Sequence, residues 1–100
     1  MAESASATMT VQVDGPHVRV TKWHFGPGEA TGFHRHGYDY VVVPVLPGTL
    51  TMVDASGKET TATLQLGESY ARSAGVEHDV INKTNAPIAF VEIELKDRTG

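Results

Sequence analysis

The chain has 100 residues, no cysteine and a formal charge of −4, which bounds it to one small domain, near the lower limit for a core built without cross-links, metal or partner chain. Disulfides and thiolate metal sites are excluded, no basic cluster offers a nucleic-acid or anionic-membrane surface, and no apolar run reaches the roughly 20 residues that span a bilayer. The opening MAESASATMT has no basic n-region and no apolar core, so no secretory signal is expected and the expected location is a reducing cytoplasm.

Small residues without pattern make 1–8 a flexible tail, and 9–100 the single domain. From Met9 the chain reads as strands punctuated by turns. Val11 and Val13 alternate with polar residues, Asp14-Gly15-Pro16 turns the chain, and Val18, Val20 and Trp23 to Phe25 form the next strand. Gly26-Pro27-Gly28 ends it. Strands are then expected over Thr31 to His36, Tyr40 to Leu46 and Thr49 to Val53, the last joined through Asp54-Ala55-Ser56-Gly57 to Glu59 to Leu66. Three more follow Gly67, near Ser69 to Arg72, Glu77 to Asn82 and Ile88 to Lys96.

No segment holds a 3.6-residue period, so the expected class is an all-β barrel or double-sheet jelly roll. Val41-Val42-Val43-Pro44-Val45 is apolar on both faces, which calls for cover on both, the outer one from a second subunit in a homodimer. Pro44 donates no ladder hydrogen bond and predicts an edge or a bulge. In the last strand, Val91, Ile93 and Leu95 oppose Phe90, Glu92 and Glu94 in facing.

Residues two apart on a strand share a face, so His34 and His36 emerge side by side within reach of one ion. If Gly37-Tyr38-Asp39 forms a three-residue hairpin loop, Tyr40 lies across from His36 and Val42 across from His34. The segment from Gly67 to Asn82 adds another histidine: His78, Val80 and Asn82 share a face, placing one imidazole inward with an amide beside it. Glu77 and Asp79 have the opposite parity and should face away, as should Asp39 if that hairpin forms. His17 and His24 have no spaced partner and read as structural. The triplet Asn82-Lys83-Thr84 matches a glycosylation sequon, read here as chance in a chain without a secretory signal.

These residues resemble the two motifs of the cupin superfamily. Gly28, His34, His36 and Gly48 are in register with the first, with Tyr40 where that motif has glutamate; Gly67, Gly75, His78 and Asn82 fit the second, with Ser73 where it has proline. The wording around GFHRHGYDYVVVP and AGVEHDVIN is similar to that of small single-domain bacterial cupins labelled β-alanine degradation proteins. The resemblance implies a double-stranded β-helix barrel with a divalent metal on His34, His36 and His78. Iron(II) is preferred, and nickel, zinc, manganese or copper are compatible with such a donor set.

Three neutral imidazoles leave a bound ion its full charge, which favours anionic ligands and Lewis-acid chemistry. Tyr40 has three readings: a phenolate ligand, a hydrogen-bond donor or acid toward substrate, or a packed side chain with a satisfied hydroxyl. Asn82 is either an outer partner of a ligand or a barrel-stabilising amide. Arg72 either reaches the pocket mouth to pair with a substrate carboxylate or lies on the surface. The functional expectation is a metal-dependent enzyme acting on a small anionic metabolite, dioxygenase-like in mechanism. An isomerase or lyase and a non-catalytic binding or sensor protein are the alternatives.

Overall fold

The computed structural model describes residues 5–96. Along the chain run β1 (Ala5–Ser6), β2 (Thr8–Asp14), β3 (Val18–Phe25), β4 (Glu29–Ala30), β5 (His34–Arg35), β6 (Asp39–Leu46), β7 (Gly48–Val53), β8 (Glu59–Leu64), β9 (Tyr70–Arg72), β10 (Glu77–Ile81) and β11 (Ile88–Leu95). The described residues contain no helix, and so none long and apolar enough to cross a membrane.

The strands form two sheets. One has the order β1-β4-β10-β7-β8, with β5 also paired to β10; the other has the order β2-β3-β11-β6-β9. Together they make the all-β jelly roll expected from the period-2 pattern. Phe25, Leu50, Leu64 and Ile88 are fully buried between them, and the rings of Phe25 and Phe90 pack with centroids 5.7 Å apart. At about 25 cal/mol per Å² of apolar surface, such side chains are the main source of stability in so small a core.

Two glycines carry fold-specific constraints. A Cβ on Gly48 would lie 2.6 Å from Ile88 Cδ1 and Cγ1, so β7 passes Ile88 at a distance only glycine permits. Gly75 has φ of +99°, and its turn gives His36 two backbone partners: Gly75 N–H donates to the His36 carbonyl (2.8 Å) and His36 N–H to the Val76 carbonyl (2.9 Å).

Pro44 sits where the ladder allows it. Phe90 pairs with Pro44 and Ala89 with Leu46, so Val45 is the extra residue of a bulge. The partner β9 reaches only Tyr40 to Val42, and beyond it the Pro44 carbonyl accepts from Gly67 N–H (3.4 Å), so no donor is asked of Pro44 on that side. Around it, Tyr40 and Val42 are buried inward while Val41 and Val43 stay half-exposed on the outer face beside Ile93 and Val91.

Three expectations are corrected. Of the presumed tail, residues 1–4 lie outside the described residues, but Ala5–Ser6 pairs in parallel with Glu29–Ala30 and Thr8 opens β2, because backbone pairing supplies order where side chains give no signal. The strand expected over Thr31 to His36 is reduced to His34–Arg35 (β5), and a separate short strand, Glu29–Ala30 (β4), precedes it. Gly37-Tyr38-Asp39 is not a hairpin loop: β5 pairs with β10 in one sheet and β6 with β11 and β9 in the other, so the chain crosses between sheets there.

Candidate metal centre

β5 and β10 carry the three histidines. His34 and His78 are register partners, and His36 follows β5, held by its two backbone bonds to the Gly75 turn. The three rings converge edge-on, with His34 at 77° to His36 and His36 at 87° to His78. His36 Nε2 lies 3.0 Å from His34 Nε2 and 3.2 Å from His78 Nε2.

These separations test the fit of an ion. Two imidazole nitrogens at about 2.1 Å from a metal are about 3.0 Å apart at a right angle and about 3.4 Å apart at a tetrahedral one. The observed pairs match one shared ion with adjacent ligands near right angles.

Proton accounting points the same way. His34 Nδ1 lies 2.9 Å from the Gly32 carbonyl, which only accepts, so Nδ1 carries the proton and Nε2 presents a lone pair. Thr31 braces this loop: its hydroxyl donates to the same carbonyl (2.8 Å) and accepts from Val80 N–H (3.2 Å). Such outer contacts fix a ligand's tautomer and orientation. Burial, reinforced by the charge of the neighbouring histidines, lowers the pKa of His36 to about 4, and burial chiefly does the same for His78. Both rings are therefore neutral near pH 7, the form that binds metal.

Tyr40 reaches the cluster from the opposite sheet. Its ring stacks on that of His36 with centroids 4.0 Å apart and planes at 22°. Burial, then the Glu92 charge, raises its pKa further above the usual phenol value, so the hydroxyl stays protonated. A ring layered face to face with a ligand imidazole lies beside the plane in which that imidazole meets an ion. This favours the packing and hydrogen-bonding readings over phenolate ligation.

Asn82 is fully buried but holds backbone rather than histidines. Its Nδ2 donates to the carbonyls of Phe25 (3.1 Å), Gly26 (3.3 Å) and Ala86 (2.8 Å), and its Oδ1 accepts from Thr84 N–H and Oγ1. It is the barrel-stabilising amide, clamping two loops, and not an outer partner of a ligand. Burial also removes it as a glycosylation acceptor. Arg72 pairs with Tyr40 across the strands but is exposed, its guanidinium 4.7 Å over the Tyr70 ring. It is not among the residues lining the cavity at the histidines, which favours the surface reading of the two over the pocket-mouth one. Asp39 turns away as expected and accepts from Ala74 N–H (2.9 Å). Asp79 likewise serves the loop, accepting from Gly32 N–H (3.1 Å).

Glu92 and Glu94 were not singled out by sequence reasoning. Both face inward and are buried, at 8% and 7% exposure, while Val91, Ile93 and Leu95 on the other face are only half-buried. Glu94 is held by Arg19 Nε at 2.7 Å. Burial, then the Glu94 charge, raises the Glu92 pKa to about 7. Ligand atoms of His36, Glu92 and Glu94 also lie within 4.8 Å of one another, but the Arg19 guanidinium already supplies a cation to Glu94. The available signal was the phase of the last strand: both glutamates share the parity of Phe90.

The comparisons agree with the fold. The cupin domain family matches residues 21–94. The chain is 50% identical over 96 residues to the Beta-alanine degradation protein BauB of Pseudomonas aeruginosa, covering 96% of this chain and 100% of that one. It superposes on the crystal structure of a cupin domain from Bordetella pertussis with a TM-score of 0.91 and 47% identity, covering 96% of this chain and 99% of that chain. A double-stranded β-helix protein from Klebsiella pneumoniae shares the fold at a TM-score of 0.76 and 19% identity, covering 100% of this chain and 85% of that chain. The chain belongs to the cupin family.

Proposed function

We propose that this protein is a metal-dependent enzyme for a small anionic metabolite, with His34, His36 and His78 holding one divalent transition ion, iron(II) by preference. The observation that carries this reading is the convergence of three imidazole nitrogens at 3.0 and 3.2 Å on the edge of a cavity. When bound, such an ion supplies Lewis acidity and, if iron, redox chemistry suited to a dioxygenase. The donor set of nitrogen alone leaves its charge unneutralised, which draws an anionic group to it.

The chain's own residues do the rest. Tyr40 stacks against His36 and limits the tilt of that ring. Trp23, Val42, Met52 and Phe90 give the cavity apolar walls. The relative's name, Beta-alanine degradation protein, is compatible with a small carboxylate-bearing compound.

A second reading has its own observation: the Glu92 carboxyl group and the Tyr40 ring line the same cavity as the histidines. Proton transfer in an isomerase or lyase would use those groups with the ion as electrophile.

Metal analysis of protein purified without added metal, followed by oxygen uptake with small acids, thiols and diketones, tests the proposal. Oxygen consumption by the iron-loaded protein supports the dioxygenase. An iron-loaded protein that consumes no oxygen but exchanges substrate protons favours the second reading. Bound ligand without turnover would reduce the site to a binding or sensor role.

A further inference from the structure

Two cavities meet at the histidines. The inner one, about 20 Å³, holds roughly one water. The outer vestibule, about 380 Å³, opens between the sheets beside β2 and has room for a small ligand. Trp23, Thr31, His34, His36 and Glu92 line both, so they mark the junction. A molecule with one group at the histidines must place its body in the vestibule and pass Glu92.

Glu92 is 8% exposed, yet none of the hydrogen bonds or ion pairs of the described residues reaches its carboxyl group. Its cross-strand neighbours on either side are Val42 and Thr21. Arg19, which lines the same vestibule, spends its Nε on Glu94 at 2.7 Å. Asp14 is paired with Lys96. Its oxygens are not sealed off, because among the described residues no fully buried side-chain oxygen lacks a partner; they open on the cavity, where a donor of a ligand would meet them.

Glu92 is also not a fourth metal ligand as placed. It comes within 4.8 Å of a His36 ring nitrogen but does not join the set formed by His34, His36 and His78. It stands one layer out, where the second functional group of a ligand would lie.

We infer that the ligand is a small amino acid-like molecule whose carboxylate meets the ion on His34, His36 and His78 and whose protonated amine donates to Glu92. A charge-assisted bond of this kind is about twice as strong as a neutral one, and it supplies the missing partner. The inference rests on the metal-enzyme reading above and adds the substrate class.

The test uses full-length protein loaded with nickel(II), so that binding is read without turnover. After metal content is measured, β-alanine, propionate and 3-hydroxypropionate are titrated calorimetrically, alongside glycine and acetate. The amino acids are expected to bind at least tenfold more tightly than their des-amino and hydroxy counterparts. Glu92→Gln should remove that preference while leaving propionate affinity within about threefold of the wild type. Equal affinity for β-alanine and propionate overturns the inference, as does a hydroxy acid that matches the amino acid, or a preference that survives in Glu92→Gln. If that variant does not fold, the wild-type comparison decides alone. Failure to take up nickel sinks the metal reading and this inference with it; stoichiometric uptake without amine preference sinks only the inference.

Discussion

Tyr40 lies on β6 and His36 just beyond β5, a strand of the other sheet, yet their rings stack at 4.0 Å with planes 22° apart. The contact sets a face of one candidate ligand from a strand that never pairs with the ligand's own. Its consequence is separable by mutation. Tyr40→Phe keeps the ring and should leave metal affinity within about threefold, whereas Tyr40→Ala removes the stack and opens a core cavity. The alanine variant should lose about 3–5 kcal/mol in urea unfolding and roughly tenfold in metal affinity. A ferric protein whose visible absorption band vanishes in Tyr40→Phe would instead make the phenol a ligand.

Removing a histidine should act on metal and not on fold. His78 contributes one of the three converging nitrogens, so His78→Ala should weaken metal binding by more than the roughly 100-fold loss typical of outer partners. At a metal concentration 100 times Kd, the wild type should gain about 2.7 kcal/mol of stability, which a chelator reverses. Differential scanning calorimetry with and without metal checks both, and an unchanged Tm on chelation would count against a bound ion.

The metal-free protein should show opposing pH dependences. Burial depresses His36 and His78 from 6.5 to about 4; these rings contribute stability present above pH 6.5 and lost as pH falls toward 4, because the unfolded chain then binds more protons. Glu92 is raised from 4.5 to about 7, so its contribution is present below pH 4.5 and lost as pH rises through 7. Glu92→Gln should therefore gain Tm relative to the wild type between pH 5 and pH 8. A pH-independent difference would show that Glu92 does not carry the buried charge.

Asn82 should behave as a fold residue. Its amide serves three carbonyls and its oxygen two donors from Thr84, and at about 1–3 kcal/mol for each buried group left unpaired, Asn82→Ala should cost several kcal/mol. Metal stoichiometry of the folded fraction should stay at the wild-type value. Gly48→Ala should cost about 1–3 kcal/mol, since the new Cβ collides with buried Ile88; both are read by urea denaturation.

The outer face of the β3-β11-β6 sheet carries Val20, Val41, Val43, Val91 and Ile93, all half-exposed. We propose that a second copy covers it. Light scattering should give twice the chain mass, and Ile93→Lys should give the monomer; a monomeric wild type at micromolar concentration would remove this interface.

The sequence by itself determined the strand class, most strand positions, an edge or bulge at Pro44 and the three histidines, because each rests on local rules: period-2 alternation, turn glycines, the missing proline N–H and motif spacing. Parity also turned Asp79 away from the site, whereas Asp39 faces away without the hairpin on which that expectation rested. What only the tertiary structure decided is which face of β11 is inside. Alternation groups Glu92 with Phe90 but is silent on which group is buried when the other face is Val-Ile-Leu, and the closure of two sheets settles it by enclosing both glutamates. Closure likewise carries Tyr40 to His36 across the barrel instead of along a hairpin, and it takes Asn82 from the histidines to the loops at Phe25 and Ala86. These relationships join residues far apart in the chain, and they exist only once both sheets have formed.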